Sequence, residues 1–302
     1  MHLPRTIRIA GVALAATLST VAAEVSSASV GPRMAYTLLV PEDVDFNGIS
    51  DLGRRAVRNM SGLVIGRSEN FVVFADSLRR VSQTVEEAEF AYRRIGQWLD
   101  LPATTSAPAW LVSVSDPGLW RTLTRRHGLR PDSLALQLNR ELYLKDDPAQ
   151  NRRPDRIAHE VVHLRLFDAW GPGLPLWLDE GLAGHYGWLI AAEYQAGRQV
   201  VLYRNQPALS ERHLLSFDDL LRMRRYPEGR DATRAFYRQA EALTGELADR
   251  LGPEGMGRLI RAMALPTDDP RAALRAAAGL SASDEIELID QLRIRSLTVQ
   301  KP

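Results

Sequence analysis

The segment from Ile157 to Trp170 constrains this chain more than any other. It is apolar on nearly every side and is interrupted by His159, Glu160, His163 and Arg165. A helix that is hydrophobic all round has to be buried, so this one takes ionisable groups into the interior. Buried imidazoles and carboxylates are costly unless they find partners. His159 and His163 stand at i and i+4, which puts them on one helix face about a turn apart. Two imidazoles so related can meet a single Zn²⁺ at about 2.0–2.1 Å each. Glu160 follows the first of them, beside such an ion, where a carboxylate can take a proton from a metal-bound water. The competing explanation is a buried helix with two structural histidines, and it leaves the same groups in need of partners.

Cysteine is absent from the 302 residues. That excludes disulfides, thiolate zinc sites and cysteine nucleophiles, so a metal has to sit on histidines and carboxylates. A catalytic zinc usually has a third protein ligand. Glu180, separated from His163 by sixteen residues, is a candidate, because Gly171-Pro172-Gly173 breaks the first helix and lets a second, starting near Pro175 or Leu176, turn back. With 45% hydrophobic and 25% charged residues the composition is ordinary for one large or two small globular domains. A formal charge of +1 gives no sign of a nucleic-acid surface or a polybasic membrane patch.

The N-terminus has the pattern of an export signal. Arg5 and Arg8 precede an apolar run, Ile9 to Ala22, and small residues allow cleavage before Glu24 or before Ser29. The run is shorter than the roughly 18 residues that a spanning helix needs. The expectation is therefore a periplasmic or extracellular protein with no membrane span in the mature chain.

Along the rest of the chain the patterning divides it into a lead-in (24–66), a strand-rich part (67–150) and a helical part (151–300). Phe71–Ala75 reads as a buried strand, followed by a helix whose apolar positions are Leu78, Val81, Val85, Ala88, Tyr92, Ile95 and Leu99. Trp110–Val114 reads as a second strand, and Leu119–Arg126 as a short helix. Alternation at Leu134, Leu136 and Leu138, and again at Leu142 and Leu144, suggests two more strands or a hairpin. Ser216 with Asp219 starts a helix, and further helices are expected over 231–251 (stopped by Gly252), 254–264, 270–279 and 283–296. The predicted fold class is α+β, a small N-terminal sheet layer followed by a mainly helical C-terminal half.

The pair His159-Glu160-x-x-His163 and Trp177-Leu178-x-Glu180-Gly181-x-Ala183 resembles the gluzincin metallopeptidases, especially the small peptidase MA-like proteins. The resemblance extends to Glu69–Phe74 with the helix after it, and to Tyr237-x-x-Ala240 through Gly252-Pro253-Glu254, covering about residues 67–297. It implies a zincin-like fold, one zinc per chain on His159, His163 and Glu180, Glu160 as general base, and hydrolysis of peptide bonds in a peptide or protein substrate. The spacing to Glu180 is shorter than in aminopeptidase N-like members. Gly66-Arg67-Ser68-Glu69-Asn70 matches their amine-binding motif by letter but lies ahead of the Phe71 strand, so it does not support aminopeptidase activity.

The resemblance also points to Tyr237, 57 residues beyond Glu180, as a donor to the oxyanion; an ordinary packed tyrosine is the alternative, and Tyr203 and Tyr226 are the other candidates. Asp179 and His185 are placed to orient a ligand or to do nothing more than face solvent. His2, His127 and His213 have no context that lifts them above surface or core residues. The functional expectation is a secreted or periplasmic zinc metallopeptidase. A zinc hydrolase of another amide or ester, and a zinc-holding binding module with little turnover, are its rivals.

Overall fold

Phe71–Ala75 forms a strand (β3) that is buried along its whole length, as a run of five apolar residues demands. A strand with no exposed face needs cover on both sides. The computed structural model describes residues 35–101, 107–127, 133–146, 155–200 and 208–298. The expected export signal with its cleavage positions, and Tyr203, lie outside the described residues.

Around β3 the sheet is completed by β1 (Thr37–Leu39), β2 (Val64–Arg67), β4 (Ala109–Val114), β5 (Ala135–Leu138) and β6 (Glu141–Lys145), in the order β1-β2-β3-β4-β6-β5. The β3–β4 and β4–β6 pairs are parallel and the others antiparallel, so β5 forms one outer edge. Alternation along the strands sorts the side chains onto two faces. Val72, Phe74, Val112, Val114 and Tyr143 pack against α1 (Asp51–Arg58) and α3 (Pro117–Arg126). On the other face, Phe71, Val73, Leu111, Leu142 and Leu144 meet α2 (Leu78–Trp98) and α4 (Arg156–Trp170) in the larger core. The predicted apolar stripe of α2 is buried from Val81 to Ile95, whereas Leu78, in its first turn, is 52% exposed.

The lead-in segment is more structured than its weak periodicity suggests. It adds β1, α1 and β2 to the sheet and covers the face remote from the histidines. Ser50 starts α1 by accepting from Gly53 N–H, and its own N–H and hydroxyl donate to Glu141 on β6, at 2.6 and 2.7 Å.

The C-terminal half is mainly helical: α5 (Leu176–Ala196), α6 (Phe217–Arg222), α7 (Arg230–Met263), α8 (Pro270–Ala278) and α9 (Ala282–Leu297). The stop expected at Gly252 is a break inside α7, where Gly252 takes φ 63° ahead of Pro253. The fold is α+β, with a mixed six-stranded sheet in the N-terminal half. Among the described residues no helix is long and apolar enough to cross a membrane.

Candidate metal centre

The histidine helix α4 and its partner α5 are joined by a tight reversal. α4 ends at Gly171, whose φ of 70° is strained for other residues, and a single 3-10 turn leads through Pro172 and Gly173 to Pro175. α5 then runs back across α4. At the crossing the backbones nearly touch, since a Cβ on Gly187 would lie 2.9 Å from the Cα of His159. This close approach brings Glu180, in the second turn of α5, against the two histidines.

The facing atoms form a compact triangle. His159 Nε2 and His163 Nε2 are 3.2 Å apart, and Glu180 Oε2 lies 3.5 Å from the first and 3.6 Å from the second. Ligands bound tetrahedrally at about 2.05 Å lie about 3.3 Å from one another, so the three atoms can share one ion with little movement. His159, His163 and Glu180 form the metal-capable group found among the described residues. Glu180 Oε2 is buried and has no hydrogen-bond partner, an orphan acceptor that a cation would satisfy.

Asp179 stands behind this triangle. Its Oδ1 accepts from His163 Nδ1 at 2.9 Å, which fixes the tautomer and turns the lone pair of Nε2 toward the shared point. Burial opposes a charge on His163, but the carboxylates of Asp179 and Glu180 outweigh it and hold the imidazole well above its usual pKa. Burial also opposes ionisation of Glu180, and His163 and His159 overcome it, keeping that carboxyl below the usual carboxylate range. A divalent cation at the shared point would supply the positive charge that these buried carboxylates need. Glu160 is buried beside the histidines; burial raises its pKa, with His159 and His163 pulling the other way.

The tyrosines are arranged in series. Tyr226, in the loop between α6 and α7, donates its hydroxyl to Glu180 Oε1. Tyr237 stacks on Tyr226 with ring centroids 5.9 Å apart and is 37% exposed. His185 faces α7, where its Nδ1 would be 3.2 Å from a Cβ on Gly245, and packs edge-on to Tyr186. His213 pairs at 3.9 Å with Asp231, away from the triangle.

A cleft of about 410 Å³ opens beside the site. One wall is the β5–β6 hairpin at Gln137, Leu138 and Asn139, the other is α4 at Leu166 and Phe167, and His163 and Asp179 line it between them. His127, at the C-terminal cap of α3, also borders the cleft. Sequence reasoning expected the strands of the hairpin but placed neither them nor His127 beside the site, because only the sheet order brings β5 to the edge next to α4. No protein-family model matches the chain, and no curated protein matches it.

Proposed function

We propose that this chain is a zinc-dependent hydrolase of peptide bonds, a gluzincin-type metallopeptidase with a zincin-like fold. The observation that carries the reading is the triangle of His159 Nε2, His163 Nε2 and Glu180 Oε2, with Asp179 behind one imidazole and Glu160 buried beside it. A single zinc ion per chain fits these nitrogen and oxygen donors. When bound, it supplies a Lewis acid and lowers the pKa of its water to about 7.

The chain's own residues do the rest. Asp179 keeps His163 in the ligating tautomer. Glu160 takes the proton of the attacking water and hands it to the leaving nitrogen; burial raises its pKa, the direction that favours a carboxyl that must also give the proton back. The outer edge of β5 has no strand partner among the described residues and borders the cleft. An extended peptide laid along it gains main-chain hydrogen bonds, which supports a polypeptide substrate over a compact amide or ester. The N-terminal 23 residues are read as an export signal, placing the mature enzyme in the periplasm or outside the cell.

The test is digestion of a broad peptide library by the zinc-loaded protein, read by mass spectrometry. Cleavage at internal or terminal peptide bonds, abolished by a chelator and restored by zinc, is expected. A zinc-loaded protein that cuts no peptide but hydrolyses other amides or esters would overturn the substrate class.

A further inference from the structure

Glu180 brings two oxygens to a site that uses one. Its Oε2 faces both histidine Nε2 atoms and has no hydrogen-bond partner, while its Oε1 accepts from the hydroxyl of Tyr226. The difference matters, because a tetrahedral zinc with three protein ligands has one position left for water. A carboxylate that swung to bind through both oxygens would crowd that position. Tyr226 is well held for its task. Its ring packs edge-on to Phe236 at 6.1 Å and is stacked by Tyr237 at 5.9 Å. The loop that carries it is tied down by Thr233, whose hydroxyl bonds the carbonyl oxygens of Pro227 and Gly229 at 2.8 Å.

We propose that Tyr226 is a positioning residue that occupies Glu180 Oε1, restricts Glu180 to one-oxygen ligation and so keeps the fourth metal position open for water. The inference rests on the metal site proposed above. It assigns Tyr226 a role toward the ligand, distinct from donation to the substrate's oxyanion. Hydrogen-bond partners of metal ligands commonly contribute 10–100-fold to metal affinity.

The experiment compares wild type with Tyr226→Phe, which keeps the ring and its packing and removes only the hydroxyl. Zinc affinity is measured by chelator competition, and coordination by the visible spectrum of the cobalt-substituted protein. Tyr226→Phe is expected to bind zinc about 10–100-fold more weakly, with weaker cobalt bands as the ion gains a fifth ligand atom and with the metal-free chain still folded by circular dichroism. Wild-type affinity together with a wild-type cobalt spectrum in the variant would overturn the proposal. Should Tyr226→Phe not fold, X-ray absorption on zinc-loaded wild type decides: a four-atom shell with one Glu180 oxygen supports the proposal, and two Glu180 oxygens on the metal overturn it. Wild type that takes up no zinc defeats the metal reading itself, a result distinct from zinc bound equally by both proteins.

Discussion

Gly187→Ala perturbs the helix crossing at the site while leaving every proposed ligand in place. The new Cβ would stand 2.9 Å from His159 Cα and 3.0 Å from His159 N, both backbone atoms that no side-chain rotation can move. Carbon atoms prefer separations of about 3.5–4.0 Å, so α5 has to retreat from α4 by roughly 0.5–1 Å. Overpacking of this kind costs about 1–3 kcal/mol. For a chain of this size each kcal/mol lowers Tm by about 2–4 °C, giving an expected fall of about 2–12 °C in the metal-free protein. The same retreat carries Glu180 away from His159 and opens the 3.5 Å edge of the triangle. Metal sites tolerate about 0.2 Å of error in bond length, so zinc affinity should fall at least tenfold. The control is Gly197→Ala at the end of α5, where the nearest atom to a Cβ is at an ordinary 3.5 Å, and where Tm should hold or rise slightly. Thermal melts with and without zinc, together with chelator competition, read both effects. A Gly187→Ala protein that melts and binds zinc like wild type would refute the argument that this helix crossing sets the ligand geometry.

Three further predictions concern single groups. Glu160→Gln should retain zinc by elemental analysis yet lose peptide hydrolysis by several orders of magnitude; turnover within tenfold of wild type would remove it as the base. Asp179→Ala should weaken zinc binding about 10–100-fold, checked by the same competition assay. Tyr237→Phe should lower kcat by about 10²-fold at unchanged KM and zinc content, if its hydroxyl stabilises the oxyanion; normal kinetics would leave it as the ring that supports Tyr226.

The two halves of the site differed in how far the sequence revealed them. His159, Glu160 and His163 were legible because helical spacing is a local property, and the apolar run around them demanded burial. Glu180 required a break in the helix, which the Gly171-Pro172-Gly173 turn supplies, and the resemblance to a known motif. The positions of α2, the hairpin strands and the break at Gly252 followed from local periodicity and glycine chemistry in the same way. Sheet order did not, since β6 inserts between β4 and β5 through pairings that local patterns do not encode. Nor did the role of the lead-in, whose anchor joins Ser50 to Glu141 across 91 residues. Tyr226 sits in a loop without periodicity, so only the folded chain distinguishes its contact with Glu180 from the place of Tyr237 one ring further out.

The central claim is that His159, His163 and Glu180 hold zinc, and metal analysis of the purified mature chain after zinc supplementation tests it most directly. One zinc per chain in wild type, with most of it lost in His163→Ala, is the predicted result. A folded wild-type protein that retains no zinc under those conditions would contradict it.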